Sequence, residues 1–335
     1  MLSRFSVFFA VLSLLPGTFF SQNEEAGKAF HGNWALVMPD GAAGWMKIFE
    51  NEERKLDGQI WMVGAPKPLT EISITDGKLN FTHKRAVGEP EYVGGPFTGK
   101  KIPLKHLATV SGDGMTLAFK KPDGEKISFT GKRMPPLPSK PDLTKVEFGE
   151  PIELFNGKDL TGWRLTNPKQ KIGWKAVDGE LVNETPKKTF DPFARYGNLR
   201  TDREFTDFNL QIEFNVPEGG NSGIYLRGMY EAQVVDRDSR MQGIHGVGAI
   251  FNRIEPSEMA GKKGGEWQKY DLTLVDRHVT VILNGKKIID NHPIEGCTNG
   301  ALWSDETRPG PLYLQGDHTS VRYRNIVLRP VVKKN

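Results

Sequence analysis

Asp207-Phe-Asn-Leu-Gln-Ile-Glu-Phe-Asn-Val216 alternates apolar and polar side chains without a break. Leu210, Ile212, Phe214 and Val216 fall on one side of an extended chain; Asn209, Gln211, Glu213 and Asn215 fall on the other. Successive side chains of a strand point to opposite faces, so this period of two predicts a sheet with one dry and one wet face. The surrounding sequence carries the same signal. Trp174–Val177 and Glu180–Asn183 are β-rich runs joined by Asp178-Gly179, and His278–Leu283 and Lys286–Asp290 are joined by Asn284-Gly285. Such pairs adopt the positive φ values that a two-residue hairpin demands. Glu266–Val275, Pro311–Gln315 and Val321–Leu328 complete the set, and no helical periodicity lasts beyond two turns. Many antiparallel strands with one wet face each predict an all-β, jelly-roll β-sandwich.

Upstream the runs are shorter. Between Asn33 and Gly131, β-rich segments are punctuated by Asp40-Gly41, Asp57-Gly58, Asp76-Gly77, Asp113-Gly114 and Asp123-Gly124. This predicts an antiparallel meander that closes as a small barrel. Gly32-Asn33-Trp34 is similar to the opening of calycin-like barrels. Trp34, Trp45 and Trp61 are expected in the barrel core. Met134-Pro-Pro-Leu-Pro-Ser-Lys140, followed by Pro141, can form neither a helix interior nor a sheet ladder, because proline lacks the backbone donor. Residues 134–148 are therefore a stiff linker between a domain at 22–133 and a sandwich at 149–333, an organisation that suits 335 residues.

Composition removes several function classes. The 45 basic and 41 acidic side chains give a net charge of +4 with no basic block, which argues against a nucleic-acid partner. The single cysteine, Cys297, excludes an intramolecular disulfide framework and any multi-cysteine zinc or iron–sulfur site. Residues 1–21 combine Arg4, an apolar run from Phe5 to Leu15, the breaker Pro16-Gly17 and the small Ser21, the order of a secretory signal. Export to the periplasm or the medium is expected. No further apolar stretch is long enough to span a bilayer, so no integral membrane segment is expected.

The second half resembles the 3-keto-disaccharide hydrolase domain family, formerly a domain of unknown function. The resemblance rests on an ordered set: Glu153-Leu-Phe-Asn-Gly-Lys-Asp-Leu-Thr-Gly-Trp163, Asn221-Ser-Gly-Ile-Tyr-Leu-Arg227, Tyr230-Glu-Ala-Gln-Val-Val-Asp236, Gly265-Glu-Trp-Gln-Lys-Tyr270 and Gly310-Pro-Leu-Tyr-Leu-Gln315. It spans about residues 149–331. It implies a concanavalin A-like jelly roll that binds or cleaves 3-keto-glycosides or related oligosaccharides.

Strand alternation then nominates the site. Tyr225 and Arg227 share one side of their strand, Glu231 and Gln233 share one side of the next, and Tyr313, Gln315 and Asp317 share one side of a third. If these strands are neighbours, the rows line one concave wet face where amides and carboxylates meet sugar hydroxyls. Glu231 is the first choice for the catalytic carboxylate, with a solvated strand glutamate as its bland alternative. His318 is a candidate proton carrier and Arg227 a candidate oxyanion donor, the latter equally able to form an ion pair with Glu231. Tyr225, Gln233, Gln315, Asp317, Asp236 and Arg324 are candidate substrate contacts, Arg324 also having a purely structural reading. The loop 237–248 is expected to border the groove. No second carboxylate matches Glu231, which counts against ordinary displacement at the anomeric carbon and favours elimination. No histidine pair has zinc-ligand spacing; no cofactor is required, and calcium on loop oxygens stays open. A carbohydrate-binding protein or an envelope scaffold is the alternative to an enzyme.

Overall fold

The computed structural model describes residues 26–62, 66–86, 99–185 and 196–334. The signal-like residues 1–21 lie outside the described residues.

The first half forms one antiparallel sheet of β1 (Gly32–Val37), β2 (Ala43–Glu50), β3 (Leu56–Trp61), β4 (Lys67–Pro68), β5 (Thr70–Thr75), β6 (Lys78–Ala86), β7 (Lys101–Ser111), β8 (Gly114–Lys120) and β9 (Lys126–Met134). The strand order is β4-β3-β2-β1-β9-β8-β7-β6-β5. Its two ends belong to one continuous segment: Lys67–Pro68 pairs with β3, and Thr70–Thr75 pairs with β6. That segment closes the sheet into the expected barrel. Phe30, Trp34, Met46, Ile48, Ile60, Phe81 and Leu117 fill it.

Two expectations need correction here. Asp57-Gly58 is not a turn but lies inside β3, opposite Phe49 and Ile48. Gly58 is there because a Cβ would stand 2.6 Å from the Lys47 carbonyl oxygen. Trp34 is in the barrel core, but Trp45 and Trp61 are not. They alternate with Met46 and Ile60, so they project from the outer face, paired across β2 and β3, and bury themselves in the neighbouring domain.

That domain is the expected β-sandwich. It is built from β10 (Glu147–Phe148), β11 (Ile152–Glu153), β12 (Trp163–Leu165), β13 (Trp174–Val177), β14 (Glu180–Asn183), β15 (Leu199–Thr201), β16 (Phe208–Asn215), β17 (Asn221–Leu226), β18 (Tyr230–Val235), β19 (Gln268–Val275), β20 (His278–Leu283), β21 (Lys286–Pro293), β22 (Tyr313–Leu314) and β23 (Val321–Lys333). One sheet runs β13-β14-β23-β16-β19-β20-β21, with β10 and β11 also on β23; the other runs β12-β15-β22-β17-β18. In β16 burial alternates strictly, with Phe208, Leu210, Ile212 and Phe214 inside. They meet Ile224, Leu226, Ala232, Val234 and Leu314 of the opposite sheet in one core.

The two halves are fastened together. Arg277 donates to the Pro135 and Pro136 carbonyls, and Asn291 holds the Pro141 carbonyl at 2.8 Å, so the proline stretch is tied to the sandwich. Asn33 and Lys47 of the barrel reach Glu295 at 2.7 and 2.8 Å. Trp45 and Trp61 meet edge to face at 4.4 Å, and the Arg253 guanidinium lies 4.0 Å over Trp61. Gly296 packs so closely on Trp45 that a Cβ would stand 2.7 Å from the indole.

Candidate active site

β22, β17 and β18 are adjacent, so the three polar rows do share one face. Tyr225 is paired with Glu231 on one side and Tyr313 on the other. The Tyr225 and Tyr313 rings stack at 4.2 Å with 13° between planes. One step along, Gly223 is paired with Gln233, and the Gln315 amide donates to the Gly223 carbonyl at 2.9 Å. Gly223 has a specific reason to be glycine. The Glu231 side chain folds back across it, and a Cβ at Gly223 would lie 2.2 Å from Glu231 Oε1.

The face is polar but not wet, contrary to expectation. Every residue of β17 and β18 is buried. The reason is that two loops lie over it. Backbone bonds from Gln233 to Ala249 and from Phe251 to Glu231 lay residues 249–251 along β18. From the other side, Tyr225 Oη donates to the Asn299 carbonyl at 2.7 Å, and the Glu231 amide donates to Thr298 Oγ1 at 3.0 Å. Glu231 is 3% exposed and Tyr225 1%. Beside the group, Asp317 and His318 are partly open to solvent, their side chains 18% and 20% exposed and joined by a 2.6 Å Oδ1···Nδ1 contact.

Burial sets the electrostatics. It pushes the Glu231 carboxyl well above the usual carboxylate range; the Tyr225 hydroxyl opposes that rise and the Asp317 carboxylate adds to it. Asp317, placed by alternation beside Tyr313 and Gln315 and read there as a substrate contact, is thus a second carboxylate acting on Glu231. The arrangement joins a carboxyl whose burial favours its protonated form to a carboxylate–imidazole pair at the rim, a division that suits proton transfer in two directions.

The other candidates have different places. Arg227 falls outside the strand, in the β17–β18 turn with φ +55°, so the period of two no longer applies to it. Its guanidinium is buried and donates to the Glu306 and Arg308 carbonyls at 2.7 and 2.6 Å; the expected ion pair with Glu231 does not form. Arg324 lies on β23, in the opposite sheet, where it pairs with Glu213 at 2.8 Å and stacks 3.9 Å over Trp267. It faces away from the core, as the alternation of Val321 and Tyr323 inward requires. Gln233 donates to the His245 carbonyl at 3.2 Å, which ties down the covering loop. Asp236 accepts from the Gly219 and Asp238 amides at 2.7 and 2.9 Å and so shapes a turn. Gln315 Nε2 reaches Tyr225 Oη at 3.4 Å, while its Oε1 is buried with no protein partner.

Asn198 was not foreseen. Its Nδ2 donates to Tyr313 Oη at 2.8 Å, and its Oδ1 accepts from the Gly316 and Asp317 amides at 2.7 and 3.1 Å. It sits beside a very short strand, where periodicity carries no information. Among the described residues, no group of three or more His, Cys, Asp or Glu side chains gathers as metal ligands would. Nor is any helix among them long and apolar enough to cross a membrane.

A family model described as the 3-keto-alpha-glucoside-1,2-lyase-like domain matches residues 150–329. A 3-keto-disaccharide hydrolase of Bacteroides thetaiotaomicron is 24% identical over 168 residues, covering 42% of this chain and 58% of that protein. The chain therefore spans less than two thirds of that relative. A solved protein from Parabacteroides distasonis, described as a glycosyl hydrolase, is 20% identical with a TM-score of 0.43, covering 54% of this chain and 94% of its own. An endo-beta-1,3(4)-glucanase of family GH16 is 14% identical with a TM-score of 0.34, covering 61% and 95%.

Proposed function

This chain belongs to the 3-keto-alpha-glucoside-1,2-lyase-like family, and from that premise we propose that it cleaves 3-keto-glycosides by elimination followed by hydration. A ketone at C3 acidifies the hydrogen at C2. A base takes that proton, and the electron pair of the C–H bond passes into the C3 enolate. Collapse of the enolate forms a C1–C2 double bond as the anomeric C–O bond breaks, and the leaving oxygen takes up a proton. Water then adds its oxygen to C1 and a proton to C2, giving the free 3-keto sugar. This route needs one base and one donor at the enolate oxygen.

His318, oriented through Nδ1 by Asp317, is the base, and its other nitrogen is left to meet the substrate. Glu231, whose burial favours the protonated carboxyl, is the donor, with Tyr225 beside it. The observation that carries the reading is this pairing of a buried carboxyl with a partly exposed Asp–His pair beside it. A test is cleavage of a 3-keto-disaccharide in heavy water. Deuterium at C2 of the released sugar is the expected result; cleavage with no deuterium there overturns elimination.

The closure over Glu231 and Tyr225 favours a second reading, in which these side chains are a structural floor and the domain binds glycosides without cleaving them. Product analysis separates the two. Free sugar released from a 3-keto-disaccharide supports the enzyme, and binding with no release supports the second reading.

A further inference from the structure

The face that carries Tyr225 and Glu231 does not end with them. Asn221 opens β17 and points to the same side as Gly223 and Tyr225, four residues and about 13 Å from Tyr225 at strand rise. There a cavity of about 670 Å³ opens, within the ~300–1,000 Å³ range of small-molecule sites. It adjoins the Asp317–His318 pair through Thr319, whose hydroxyl is bonded to both the amide and the carbonyl of Asn221, at 2.8 and 2.9 Å.

The lining of this cavity is chemically selective. Among the described residues that line it there is no aromatic ring, and Met241 is the large apolar side chain beside glycines, hydroxyls, an amide and charged groups. An aryl group would find no ring there to stack on. Asn221 is 7% exposed, and its Oδ1 is a buried acceptor with no protein partner. Gln315 Oε1, on the same face nearer Glu231, is a second such acceptor. Acceptors without donors in a polar recess call for hydroxyl groups. Two of the acidic groups are already engaged: Asp236 by backbone amides, and Asp238 by Arg237 at 2.8 Å.

Building on the elimination reading, we propose that this cavity is the leaving-group subsite and that it takes a neutral polyol, a second sugar ring, with the Asn221 side-chain amide turning to meet one of its hydroxyls. Specificity for the leaving group then resides in residues 218–221 and 236–241, apart from the proton-transfer groups.

The experiment compares a 3-keto-disaccharide with the 4-nitrophenyl glycoside of the same 3-keto sugar. Asn221→Ala is expected to lower kcat/KM for the disaccharide about tenfold, the value of one lost hydrogen bond to a neutral group, and to leave the aryl substrate within about threefold. Asn221→Asp keeps the acceptor and should retain most of the preference. Ser239→Trp, which brings a ring into the cavity from the covering loop, should depress the disaccharide alone. Equal losses on both substrates, or no loss on either, overturn the subsite. If the wild-type protein cleaves neither compound, the elimination reading fails, and calorimetric titration then judges the subsite alone. Weaker disaccharide binding by Asn221→Ala with unchanged aryl binding upholds it; equal binding of both compounds by both proteins overturns it.

Discussion

The barrel and the sandwich bury titratable groups of opposite kind. Inside the barrel, His83 and His106 lie with ring centroids 6.0 Å apart, and His106 stacks on Phe81 at 4.7 Å. Burial lowers both imidazoles to about 4, helped at His83 by Arg85 and Lys67. Inside the sandwich, burial raises Glu231, and it raises Glu306 against the pull of Arg277 and the Tyr230 hydroxyl. The bases sit among phenylalanines, with one nitrogen of each left unpartnered, and serve as core. The acids sit in hydrogen-bonded company near loops. Burial alone thus does not mark a functional group; what matters is whether a second reactive group and a path to solvent lie beside it.

The sharpest way to break this contrast is Glu231→Gln. If the sandwich's buried acid moves a proton during catalysis, turnover of a 3-keto-disaccharide should fall about 10²–10⁴-fold while the fold is kept, as steady-state kinetics and circular dichroism would record. Unchanged turnover would return Glu231 to the same structural class as the histidines. Next in size is Trp45→Ala, which removes an indole shared by both halves. A loss of about 3–5 kcal/mol in denaturant unfolding is expected, in a single transition. Two separated transitions would mean that the halves are independent.

The acid side of the comparison has a definite sign. A folded-state pKa of about 4 against 6.5 means that the unfolded chain binds protons the barrel refuses. Stability should therefore fall as pH drops from about 6.5 to about 4, by on the order of 3 kcal/mol per imidazole, and level off below. The raised carboxyls act oppositely: their contribution is complete below the usual glutamate value and is lost as pH rises through their folded values. His106→Phe should remove about half of the acid loss while changing stability at pH 8 by roughly 1 kcal/mol. Thermal melts from pH 8 to pH 4 decide this, and an unaltered slope would exclude His106 as a source. The smallest expected effect is Arg324→Ala. Its pair with Glu213 is partly exposed, so about 0–1 kcal/mol of stability and less than a twofold change in turnover should follow.

Alternation along Asp207–Val216 made the sandwich legible, and Asp-Gly and Asn-Gly pairs located most hairpins, because both signals are local. Alternation also brought Tyr225, Glu231 and Gln315 to one face. It did not reveal that the face is covered, since the covering residues 249–251 and 298–300 are far from β17 and β18 or irregular. Arg227 lies in a turn that breaks the period of two after Leu226, and Arg324 lies in the opposite sheet, because sheet membership is a long-range property. The outward aim of Trp45 and Trp61 was available from their alternation with Met46 and Ile60. What such an outer face would meet was not.

The segment from Gly296 to Asn299 touches Trp45 at one end and the Tyr225 hydroxyl at the other. The barrel is therefore not a detachable accessory. The family match begins at residue 150, and contacts of Trp45, Asn33 and Lys47 with the sandwich cross that point. Trimming the gene there would remove the Trp45 indole on which Gly296 packs. Grafting the sandwich onto another carrier would call for carrying Trp45 and Trp61, or a substitute of the same shape, along with it.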